Sequence, residues 1–132
     1  MGYGVVDTGR AIVRAKMDGG TYCVTVTGMM KLDLLAAIRL ECFTRLDAGD
    51  CIATIVDMRR AIVAFDIRDL DRPASWRDLR VGMVPRAMVV SPVVVGEFQK
   101  WGEKAGQGRL RAVFTELGSA QAWIGARLVC PI

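Results

Sequence analysis

No histidine occurs among the 132 residues of this chain. That absence excludes histidine-based triads and dyads, imidazole general-base chemistry and every metal site built on histidine ligands. Aromatic residues are few, at 7 % of the composition. None is interleaved with a basic stripe and no recognition helix can be found, so nucleic acid is not expected as a partner. Long apolar runs are missing too: the longest uncharged stretches, such as Ala87 to Gly96, fall well short of the roughly 20 residues that cross a bilayer. The start, Met1 to Asp7, has neither a basic nor a long apolar stretch, so no signal peptide is expected. Val6 stands where a myristoylation motif wants Ser or Thr. The expected location is cytoplasmic.

The four cysteines, Cys23, Cys42, Cys51 and Cys130, form no C-x-x-C hook. A four-cysteine zinc site normally uses such paired hooks, so no metal and no cofactor is expected, and the thiols read as reduced, small buried hydrophobes. The formal net charge of +4 comes from basic residues scattered among acidic ones, which describes a solvated surface.

Apolar residues make up 52 % of the chain, and the length suits one domain with one core, spanning 1–132. Gly9 to Met17 and Thr21 to Thr27 are extended runs separated by Asp18, Gly19 and Gly20, a hairpin signal. Lys31 to Leu46 switches to a helical period, with Leu35, Ile38, Cys42 and Leu46 on one stripe and a glycine stop at Gly49. Ile52 to Met58 is β-branched and apolar, as in a strand buried on both faces of a parallel sheet. Arg60 to Arg72 is expected to be helical, with Val63, Ile67 and Leu70 sharing a face. Met83 to Ser91 reads as a further strand, Pro92 opens a helix that buries Val94, Phe98, Trp101 and Ala105, and Arg111 to Thr115 is the last strand. Ser119 is expected to cap a final helix with Ala120, Trp123, Ile124 and Leu128 inward.

This order of segments predicts an α/β fold: an N-terminal β-hairpin, then alternating helices and strands, forming a mostly parallel sheet of four to five strands with helices packed on it. Together with the stretch Arg86 to Ser91, the amphipathic helix after it, and the run from Arg111 through Trp123 and Ile124, the order resembles the STAS-like, or SpoIIAA-like, superfamily. The similarity is to its stand-alone bacterial single-domain members. The resemblance implies a non-catalytic regulatory or protein-interaction module. Its alternative implication is a domain of the same fold that binds a small molecule or lipid. In the superfamily's anti-sigma-factor antagonists a phosphorylatable Ser follows an Asp at the end of the central strand. Asp57 fits that place, but Arg59 and Arg60 stand where the phosphoacceptor and small residues would be, which argues against the phosphorylation switch.

Asp57, Arg59 and Arg60 are nevertheless the leading candidate site, because ligands of open α/β sheets gather beyond the carboxyl ends of the strands and two guanidiniums can hold a phosphate or carboxylate. The plain alternative is a local ion pair on a solvated edge. Met29, Met30, Phe65 and Trp76 are candidate contacts for an apolar ligand or a partner, with core packing as the default for the methionines. Asp66, Arg68, Asp69, Asp71 and Arg72 read as a solvated mixed-charge face, and Gly102 to Gly108 as a helix stop. The expected partners are a protein or a second copy in a homodimer, and an apolar small molecule under the alternative, with no stable membrane insertion.

Overall fold

A computed structural model of the chain describes residues 4–7, 11–66, 84–104 and 111–129. The elements run β1 (Gly4–Asp7), β2 (Ala11–Asp18), β3 (Thr21–Met30), α1 (Leu32–Asp47), β4 (Ala53–Val63), β5 (Arg86–Val89), α2 (Val95–Lys104), β6 (Arg111–Phe114) and α3 (Leu117–Val129). The strands form a six-stranded sheet in sequence order. The pairs β1–β2 and β2–β3 are antiparallel, and the pairs β3–β4, β4–β5 and β5–β6 are parallel. The α/β class, the N-terminal hairpin and the mostly parallel pairing are therefore as expected, and the sheet gains a strand from Gly4–Asp7.

Local chemistry accounts for the corners. Gly19 and Gly20 both take positive φ, the backbone that a tight two-residue hairpin turn requires and that other residues resist. At the end of α1, Gly49 is also left-handed; its N–H donates to the Leu46 carbonyl and that of Asp50 to the Arg45 carbonyl. This closes the helix in a Schellman arrangement. Arg45 donates to the carboxylates of Glu41 and Asp50 and lies over the Tyr22 ring, which fastens the helix end to β3.

Two cores result. On one face of the sheet Leu35, Ile38 and Cys42 of α1 and Phe98 of α2 pack with Val24, Val26, Met30, Met58 and Met88. On the other, Ala120 and Ile124 of α3 pack with Ala53, Ile55, Ala87 and Val89. The alternating membership of neighbouring residues in β4 and β5 is what a strand covered on both faces demands.

Three expectations are corrected. Arg60 to Val63 is not helical but continues β4, pairing with Thr27 to Met30. The β-branched pair Ile62–Val63 sits against a strand already in place, and cross-strand pairing outweighs a helical stripe that needs residues farther along. Residues 67–72 of that expected helix lie outside the described residues. Ser119 is not a cap: α3 starts at Leu117, and the Glu116 carbonyl accepts its early bond from the Ala120 N–H. Pro92 lies in a turn ahead of α2, where Ser91 Oγ accepts from the Val93 N–H and the Ser91 carbonyl from the Val94 N–H.

Candidate functional site

The register of β3 and β4 slips between Thr25, which faces Asp57, and Thr27, which faces Arg60. Between these pairs one residue of β3, Val26, stands against two of β4, Met58 and Arg59, a β-bulge. Residues directly paired across a sheet share a face, and Thr25 and Thr27 share theirs, so the bulge brings Asp57 and Arg60 onto one face. Met58, between them, is buried in the core under α1 and α2. Beyond Asp57 the strand has outrun β5, whose pairing ends at Val89.

Asp57 Oδ1 accepts from the Arg59 backbone N–H at 3.1 Å and from Arg59 Nε at 3.0 Å, while Oδ2 accepts from Nη2 at 2.7 Å. The carboxylate is buried, with 9 % of the side chain exposed against 40 % for Arg59. This fork pairing pushes the Arg59 guanidinium above its ordinary pKa, the hydrogen bonds to Asp57 acting first and burial opposing them, with the Asp57 and Glu116 charges adding to the rise. The result is a cation fixed in direction whose outer edge meets solvent. Arg60 is exposed beside it.

The other candidate residues divide. Met30 is fully buried, and Phe65 packs half-buried against the same core. Met29 is on the opposite face, exposed, and paired with Ile62. The structure therefore joins Met29 to the side of Arg60 and separates it from Met30. Trp76 and residues 68–72 lie outside the described residues, as does Cys130; Asp66 is exposed. Ile12 and Ile62, both exposed beside this site, escaped sequence reading, although the alternation of Ile12, Arg14 and Lys16 already marks an outward row.

Burial, the largest cause in each case, pushes the Cys23, Cys42 and Cys51 thiols up, Cys42 to about 12. A thiolate is the reactive form, so none of the three is poised as a nucleophile. Among the described residues no group of three His, Cys, Asp or Glu side chains could hold a metal ion, and no helix is long and apolar enough to cross a membrane.

The sequence matches no family model and no curated protein. Solved structures do match. An anti-sigma factor antagonist from Mycobacterium paratuberculosis superposes with a TM-score of 0.61 at 12 % identity, covering 90 % of this chain and 97 % of that one. The Bacillus cell fate determinant SpoIIAA in its phosphorylated form gives 0.53 at 17 %, covering 83 % and 97 %. The anti-sigma factor antagonist SpoIIAA in its unphosphorylated form gives 0.53 at 19 %, covering 86 % and 96 %. With the strand order, the hairpin and the helices on both faces, these superpositions show that the chain has the SpoIIAA-like, STAS-type fold.

Proposed function

We propose that this chain is a non-catalytic, STAS-like regulatory module that works in the cytoplasm by binding a protein partner. The Asp57–Arg59 fork and Arg60 form its anchor for an anionic group. The fork carries this reading. A guanidinium already held at 3.0 and 2.7 Å by a buried carboxylate gives up little side-chain freedom when its outer edge grips a carboxylate or phosphate, unlike a free surface arginine. The likeness to anti-sigma factor antagonists supports an interaction role, and the high-pKa thiols fit a protein without nucleophilic chemistry. One of those neighbours is a phosphorylated form. Here Met58, Arg59 and Arg60 follow Asp57, so no hydroxyl is offered at that place and the reading includes no phosphorylation there.

The test is co-purification from the source cell with wild type and the Arg59→Ala, Arg60→Ala double variant compared side by side. The double variant is expected to lose the partner and to melt lower, because removing Arg59 leaves the buried Asp57 carboxylate without its guanidinium. Arg60→Ala alone, at an exposed position, should weaken binding with its melting temperature nearly unchanged. Wild-type binding should weaken with salt, because attraction at an accessible edge is screened over about 8 Å at physiological ionic strength. Equal recovery of the same proteins by both chains at the same salt would reduce the fork to a structural ion pair.

A further inference from the structure

Helix α3 packs on β4, β5 and β6, and among the described residues no helix lies over the β2–β3 half of that face. The register gives the composition of the open strip. Ile12 faces Thr27, which faces Arg60, and in the next row Met29 faces Ile62. Directly paired residues share a face and diagonal ones stay within reach. Ile12 at 39 %, Met29 at 37 % and Ile62 at 64 % exposure therefore form one apolar cluster in water. Exposed Arg14 and Lys16 follow Ile12 along β2, and exposed Arg60 precedes Ile62 on the same face of β4. Asp7 faces Ile12 in the register and Asp18 ends β2, so among the described residues of these rows three cations stand against two acids once Asp57 and Arg59 have neutralised each other.

The complementary surface is on the same molecule. Asp33, Ala37, Leu40, Thr44 and Asp47 follow one another along α1 at helical spacing, and every one is exposed. Leu40 is 68 % exposed, an apolar knob on a ridge that carries acids and no cation. The inner side of α1 packs on the sheet face opposite the open strip, so strip and ridge look away from each other.

We propose that the open strip of one molecule receives the α1 ridge of a second copy. Leu40 enters the cluster of Ile12, Met29 and Ile62, and one of the two acids that flank it along α1, each about 10 Å away, reaches Arg60. The proposal rests on the interaction reading above and names its partner as the chain itself. Because strip and ridge are different surfaces on opposite sides of the molecule, the contact is heterologous, and each added copy exposes a fresh strip or ridge. Growth is head to tail.

Sedimentation velocity on the full chain tests this. The weight-average mass should rise with concentration at low salt and fall towards the single chain at high salt. Ile62→Asp and Leu40→Asp should each stop growth, and because both positions are exposed, their melting temperatures, measured in parallel, should stay near wild type. Mixed in equal amounts, the two variants should form a dimer and go no further, since one keeps its ridge and the other its strip. Wild type that stays monomeric at every concentration and salt overturns the proposal. So does a mixture that stays monomeric, or a Leu40→Asp variant that assembles as wild type does. These results use purified chain alone, so self-association can fail while the Arg59 and Arg60 comparison still finds a separate partner.

Discussion

Phe98→Ala is expected to destabilise the protein by about 3 to 5 kcal/mol, the range for truncating a buried aromatic side chain. Phe98 is fully buried and anchors α2 in the core shared by α1, β3 and Met88 of β5. Its N–H bonds the Val94 carbonyl, so it sits in the first turn of the helix. The ring therefore sets where α2 lands. A cavity there cannot easily collapse, because the surrounding side chains belong to elements fixed by the sheet and by the Ser91 turn. Trp123→Ala should cost less than Phe98→Ala. Trp123 is half-buried, tilted against Phe114 with ring centroids 5.9 Å apart and covered by the Arg127 guanidinium at 4.5 Å, and its truncation opens mostly towards solvent. Urea denaturation of both variants measures the order. A Phe98→Ala midpoint close to wild type would show that α2 is not held by this ring.

That ordering of the two aromatics marks where sequence reasoning reaches its limit. A helical stripe shows which residues point inward, and Leu35, Ile38 and Cys42 on α1, Phe98 on α2 and Ala120 and Ile124 on α3 are all buried as their spacing predicts. It does not show how much of a neighbouring layer covers them, which separates Phe98 from Trp123. The hairpin was legible because Gly19 and Gly20 have a local conformational reason to be there. β1 was not, since Gly4–Asp7 is four residues long and becomes a strand only because β2 offers it an edge. The end of β4 was misread for a related reason. Val63 and its helical neighbours in sequence satisfy a local pattern, whereas the pairing of Arg60 to Val63 with β3 is non-local.

The candidate site repeats the lesson at the scale of one residue. Asp57, Arg59 and Arg60 could be singled out from charge and position, but the bulge that puts Asp57 and Arg60 on one face leaves no mark in the sequence. Without it, strict alternation would place Asp57 with Arg59 and send Arg60 to the other face. The open strip was hidden for the same reason: Met29 and Ile62, or Ile12 and Arg60, become neighbours only through the register of three strands.

Alkali should unfold this protein through its buried thiols, Cys42 first. Burial raises the Cys42 pKa from an ordinary 9.0 to about 12, with the neighbouring Cys51 and Glu41 charges adding to the effect and Arg39 and Arg86 opposing it. The folded state therefore keeps the proton that the unfolded chain gives up. Below about pH 9 both states are protonated and the group contributes its full stability; above that the unfolded chain binds fewer protons, so stability falls as pH rises. The loss accumulates at about 1.4 kcal/mol per pH unit until the folded thiol also ionises, and amounts to about 4 kcal/mol over the window from 9.0 to about 12. Cys23, Cys51 and Tyr22 are raised as well, each chiefly by burial, and push in the same direction. Cys42→Ala separates its share. The variant should be somewhat less stable at neutral pH, because a small side chain is lost from the α1 core, yet its stability should fall less steeply above pH 9. Urea midpoints measured across that range for both proteins decide it. Parallel curves would mean that Cys42 ionises as readily in the folded chain as in the unfolded one, and that water reaches the core beneath α1.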